Sequence, residues 1–128
     1  MTRDKQVLLV EDDESHALLA SLLLERLGFK VQVINNGEDA VQLFQSMPDA
    51  FHFVMTDYTM LPLDGLGTAR RMLEVNPSAV ILLCTGRDDP ALMREARLAG
   101  VRTVALKPSN RAEMEDLLAG AGLYTYED

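Results

Sequence analysis

The chain alternates short apolar runs with longer segments of helical spacing. Val7-Leu8-Leu9-Val10 is a continuous apolar run, the pattern of a strand buried on both faces. Residues 15–27 then place apolar side chains at 18, 19, 22, 23 and 27, a helical period, and Gly28 is a natural stop. Val31-Gln32-Val33-Ile34 reads as a second strand. Asn36 is positioned to cap a helix containing Ala40, Val41, Leu43, Phe44 and Met47, closed by Pro48. The run from Phe51 to Asp57 is the third strand, followed by a loop with Pro62 and Gly65. A helix over 65–75 ends at Asn76-Pro77. Residues 79–84 form the fourth strand. Asp89 before Pro90 reads as an N-cap with proline at the first helical position, opening a helix that ends at Ala99-Gly100. Residues 101–106 form the fifth strand. Asn110 with Glu113 resembles a capping box for a last helix through Leu118, and residues 120–128 read as a frayed tail.

Five strands alternating with five helices predict an α/β fold, a doubly wound parallel sheet with helices on both faces. Periodicity leaves the strand order open. The 128 residues suit a single domain over 1–128, with a core of about 5–118.

Charge narrows the functions available. A net charge of −8 argues against direct nucleic-acid binding. The one cysteine, Cys84, sits inside an apolar run, where a buried structural thiol is expected, and it fits a reducing compartment. Residues 1–6 adjoin no apolar core long enough for a signal peptide, and no run approaches the roughly 20 apolar residues of a membrane helix. A soluble, cytoplasmic protein is expected, without membrane contact.

Candidate chemistry stands just beyond the strands. Glu11-Asp12-Asp13 follows the first, Asp57 ends the third, Thr85 follows the fourth and Lys107 the fifth. In a parallel sheet these positions share one edge, where open α/β sheets bind ligands. If those strands are neighbours, Glu11, Asp12 and Asp57 crowd like charge, which Lys107 and a bound Mg²⁺ would offset. A carboxylate beside Mg²⁺ can attack a phosphoryl group to give an aspartyl phosphate. The Lys107 ammonium and the Thr85 hydroxyl suit its oxygens. His16 reads as an exposed helix residue, and neither His16 nor His52 falls at a strand end on this edge.

The ordered set Leu8-Leu9-Val10-Glu11-Asp12-Asp13, Thr56-Asp57-Tyr58-Thr59-Met60, Leu63-Asp64-Gly65, Cys84-Thr85-Gly86 and Lys107-Pro108 resembles the CheY-like receiver domains of two-component response regulators. The likeness covers about 5–118. It implies a flavodoxin-like sheet of order 2-1-3-4-5, with Asp57 accepting a phosphoryl group from a phosphohistidine. It further implies Mg²⁺ held by Glu11, Asp12, Asp57 and the backbone carbonyl of Thr59. Thr85 would be the switch hydroxyl, and Lys107 the partner of the phosphoryl oxygens. Asp13 matches no functional position and suits a helix start. Lys107–Pro108 is expected to be cis. The implied partners are a histidine kinase or phosphotransfer protein and a downstream protein. Rather than a conventional enzyme, the chain is expected to be a signalling domain that catalyses its own phosphorylation and dephosphorylation.

Three features depart from the family pattern. Met60-Leu61-Pro62 moves the usual proline one place on, Val104 stands where many receivers carry a switch Tyr or Phe, and Thr59 and Arg87 hold variable positions beside the phosphoryl group. An aspartate-nucleophile phosphatase is disfavoured because Thr59 replaces the second acid of that class. A nucleotide enzyme is disfavoured because no Gly-rich loop follows the first strand. A phosphorylation-independent binding module remains the other reading. A stand-alone receiver and a piece of a larger protein, such as a hybrid kinase, are equally compatible with the chain.

Overall fold

The computed structural model describes residues 5–126. Its elements alternate throughout: β1 (Gln6–Val10), α1 (Glu14–Arg26), β2 (Lys30–Ile34), α2 (Gly37–Ser46), β3 (Phe53–Asp57), α3 (Gly65–Val75), β4 (Ile81–Thr85), α4 (Pro90–Ala99), β5 (Thr103–Leu106) and α5 (Arg111–Gly120). All strand pairs are parallel and the order is β2-β1-β3-β4-β5, the flavodoxin-like arrangement.

Side-chain alternation along the central strands feeds two cores. Leu8, Val10, Val54 and Leu83 point toward α2, α3 and α4, where Phe44, Met72 and Leu92 meet them. Val7, Leu9, Met55 and Leu82 point the other way, onto Leu24, Met114 and Leu118 of α1 and α5. β3 and β4 are buried along their whole length, as strands covered on both faces must be.

Helix starts follow the side chains that cap them. Asn36, Asp89 and Asn110 each accept the N–H of the residue three further on. Asp13 caps α1 in the same way and Asp64 caps α3. Glu113 completes its box one residue early, accepting the N–H and hydroxyl of Ser109 at 2.8 and 2.9 Å.

Four expectations are corrected. The third, fourth and fifth strands begin two residues later than their apolar runs. Val101 is buried, yet its N–H bonds to Ala96 at the end of α4 rather than to a neighbouring strand. The inward face of α1 is Ala17, Leu23 and Leu24, leaving Leu18, Leu19 and Leu22 exposed. Apolar residues fill almost every position from 17 to 24, so the period fits two phases and packing chooses between them. The segment after α5 is not frayed: Leu123 donates to Leu118 at 2.8 Å, and Leu123 and Tyr124 lie on the second core. Residues 127 and 128 of the expected tail lie outside the described residues. Finally, the cis bond is Leu61–Pro62 and not Lys107–Pro108. Proline permits either isomer, and the local sequence does not choose between the two bonds.

Candidate functional site

Strand register brings the chemistry together. Val10 pairs with Thr56, so Glu11 emerges beside Asp57. Asp57 pairs with Cys84, placing Thr85 one residue further along the next strand. Thr85 pairs with Leu106, and Lys107 follows, its N–H bonded to the Thr85 carbonyl at 2.9 Å. The interval of 96 residues between Glu11 and Lys107 closes to 3.2 Å between Oε1 and Nζ.

Asp57 is 5% exposed, and its Oδ1 lies 3.1 Å from Lys107 Nζ. The separation is that of an ion pair, but the angle is not that of a hydrogen bond, and this buried oxygen accepts none. Glu11 is also buried. Its Oε2 accepts the Asp13 N–H at 3.2 Å, and its Oε1 takes Lys107. Burial pushes the Glu11 carboxyl above its usual range, and the nearby charge of Asp57 adds to the rise. The Asp13 N–H and Lys107 only partly offset it. Burial alone would lower the Lys107 ammonium, but Asp57 and then Glu11 reverse that and hold it above its ordinary value. Cys84, beneath them, is buried and its thiol is pushed up to about 12, so it stays protonated.

Oxygens of Glu11, Asp12 and Asp57 lie within 4.8 Å of one another. Two buried carboxylates, one exposed carboxylate and an unsatisfied carboxylate oxygen fit a hard cation that keeps part of its water. Asp12 and Thr59 line a separate shallow crevice with Asp64, next to this cluster. Thr85 is buried, and its hydroxyl oxygen accepts the Arg87 N–H at 3.4 Å.

His16 is exposed, as its place on the helix indicated, but its contact with Lys107 was not legible in the sequence. His16 projects from the first turn of α1, and its Nδ1 lies 3.3 Å from Lys107 Nζ. It borders a cavity of about 160 Å³ with Glu11, Asp57, Lys107 and the apolar Leu19 and Met55. Helical spacing shows which face of α1 carries His16, but not that a loop 91 positions later arrives opposite. His52 lies before β3, at the other end of the strand from Asp57.

Comparison with known proteins agrees with this geometry. Residues 7–119 match the response regulator receiver domain family. The transcriptional regulatory protein ZraR of Salmonella typhimurium is 31% identical over 128 residues, covering 99% of this chain but 29% of that protein. The chain therefore spans under a third of the length of such relatives. A probable chemotaxis protein CheY of Rhizobium etli is 31% identical over 114 residues, covering 86% of each chain. Among solved structures, a response regulator from Burkholderia pseudomallei with a phosphorylated aspartic acid, a calcium ion and citrate superposes with a TM-score of 0.78. It is 28% identical, and the match covers 93% of this chain and 69% of that one. With the acids, the lysine and the sheet order all in register, the chain belongs to the response regulator receiver domains of two-component signalling.

Proposed function

We propose that this domain is phosphorylated on Asp57 by a phosphohistidine of a histidine kinase or phosphotransfer protein, and that the change alters a surface read by another protein. The observation that carries this is the Lys107 ammonium 3.1 Å from a buried Asp57 oxygen that accepts no hydrogen bond. An ionised carboxylate in that position is a nucleophile with a counter-charge already in place for the group it will carry.

In the transfer, an Asp57 oxygen attacks phosphorus and the phosphorus–nitrogen bond of the donor breaks. The imidazole leaves with the electron pair and takes up a proton. Lys107 pairs with the phosphoryl oxygens, and the Thr85 hydroxyl donates to one of them. Glu11, Asp12, Asp57 and the Thr59 carbonyl would hold Mg²⁺, which supplies charge neutralisation at those oxygens when bound. Attack of water on phosphorus later breaks its bond to the Asp57 oxygen, releasing inorganic phosphate and restoring the carboxylate. The chain acts here as a signalling domain rather than as a turnover enzyme, in the cytoplasm, with residues 1–128 as one receiver unit. The phosphorylated aspartic acid and calcium ion named for the Burkholderia relative support the reading.

Incubation with Mg²⁺ and a small acyl phosphate tests it. One phosphoryl group should appear on Asp57 by mass spectrometry. Asp57→Asn should remain folded and unlabelled. A label on Ser, Thr or His would overturn the assignment.

A further inference from the structure

A lysine ammonium has three N–H donors and no lone pair. Lys107 Nζ faces three groups: Asp57 Oδ1 at 3.1 Å as an ion pair without a hydrogen bond, Glu11 Oε1 at 3.2 Å and His16 Nδ1 at 3.3 Å. Because the ammonium can only donate, the third contact requires a bare lone pair on Nδ1, with the ring proton on Nε2. His16 Nδ1 is 4.0 Å from Glu11 Oε1 and 3.9 Å from Asp13 Oδ1, beyond hydrogen-bond reach, so Lys107 is its near partner. The backbone of His16 is fixed, since its N–H donates to the capping oxygen of Asp13 at 2.9 Å. The side chain is 56% exposed and fills no core position.

We propose that His16 is a positioning residue for Lys107, holding the ammonium over Asp57. Lysine has a long flexible stem, and that of Lys107 is 28% exposed, so it could swing into solvent. Glu11 is a divided anchor, because a carboxylate that serves a metal has less charge to offer the ammonium. Among the described residues, Lys107 is the one protein donor against His16 Nδ1. His16 therefore keeps Lys107 aimed at Asp57 when Glu11 is otherwise engaged.

The effect on rate rests on the proposed phosphorylation of Asp57, but the effect on Lys107 does not, and the test separates them. Lysine ammonium signals are recorded by ¹H–¹⁵N spectroscopy in metal-free, unphosphorylated protein, where Lys5, Lys30 and Lys107 are the lysines to distinguish. Lys107→Arg assigns the signal. Native protein should give a slowly exchanging Lys107 signal, His16→Leu should lose it, and His16→Asn, whose amide oxygen can take the place of Nδ1, should retain it. The initial rate of Asp57 phosphorylation with Mg²⁺ and an acyl phosphate should fall about two- to tenfold in His16→Leu, the range one hydrogen bond spans. It should return to within about twofold of native in His16→Asn. Absence of the signal in native protein, an unchanged signal and rate in His16→Leu, or an Asn variant that behaves like Leu would each overturn the proposal. Native protein that shows the signal but takes no phosphoryl group would overturn the phosphorylation reading and leave the tether to Lys107 standing.

Discussion

Gly65 packs directly against the backbone carbonyl of Asp57. A methyl group built on Gly65 would run into that oxygen and come within 2.7 Å of Leu83 Cδ1. The N–H of Gly65 also donates to Tyr58 at 2.8 Å, so the start of α3 is fastened to the residue after Asp57. Backbone at this contact cannot retreat without moving the end of β3. Gly65→Ala should therefore destabilise the domain by about 1–3 kcal/mol, the usual cost of overpacking. Urea denaturation measures it, and an unchanged midpoint would mean that the loop yields freely.

Lys107 is the cation that the two buried carboxylates share. Lys107→Ala leaves Glu11 and Asp57 facing each other without it. Removing one partner of a fully buried pair costs about 3–5 kcal/mol, but this ammonium keeps solvent access, so a loss of about 1–2 kcal/mol is expected. Thermal melts should show the loss in metal-free buffer and a smaller one at millimolar Mg²⁺. A variant as stable as native without metal would mean that solvent already screens the pair.

Much of this arrangement was legible from the order of residues. The apolar run Val7–Val10 and the largely apolar run Phe51–Asp57 read as buried strands, the second beginning two residues before the ladder does, and Asn36, Asp89 and Asn110 mark helix starts because their side chains compete for orphan N–H groups. The acids, Thr85 and Lys107 were legible as strand-end residues, since alternation of strand and helix puts every such end on one edge. What was hidden depends on contacts between distant segments. His16 and Lys107 meet only because α1 leans over the loop after β5. The side of α1 that turns inward is decided by the sheet, not by a segment nearly all apolar.

Glu11 yields a prediction about pH. Its folded carboxyl is raised, so the fold disfavours the ionised form, and that penalty is present above the folded pKa. As pH falls through that value the folded protein takes up the proton before the unfolded chain does, and the penalty disappears toward the ordinary value of 4.5. Glu11→Gln should accordingly be more stable than native in metal-free buffer at neutral pH, with the advantage shrinking on acidification. Saturating Mg²⁺ should reverse the order, since a ligand at about 100 times its Kd adds about 2.7 kcal/mol to the native protein. Paired thermal melts across pH, with and without metal, check both signs. An advantage that grows on acidification would show the ionised carboxylate to be favoured in the fold.

Val104 sets the expected size of the structural response. It stands on β5, half-buried, packed on the core that includes Leu83 and Leu92. A phosphoryl group on Asp57 adds about −1.5 to −2 charge and three acceptor oxygens. Thr85 and Lys107 are the groups on β4 and after β5 that can follow it. An equilibrium shifts only by the difference in contacts between its two states, and a valine has no ring to turn inward and enlarge that difference. The response should therefore run through the loops after β4 and β5 into α4 and α5, with smaller shifts than in receivers bearing an aromatic residue at this place. Amide NMR with and without a phosphoryl mimic measures it. Val104→Tyr should enlarge the shifts along α4 and β5, and Thr85→Ala should shrink them in both backgrounds. Shifts confined to the first turn after Asp57, indifferent to Thr85→Ala, would place the responsive surface elsewhere on the domain.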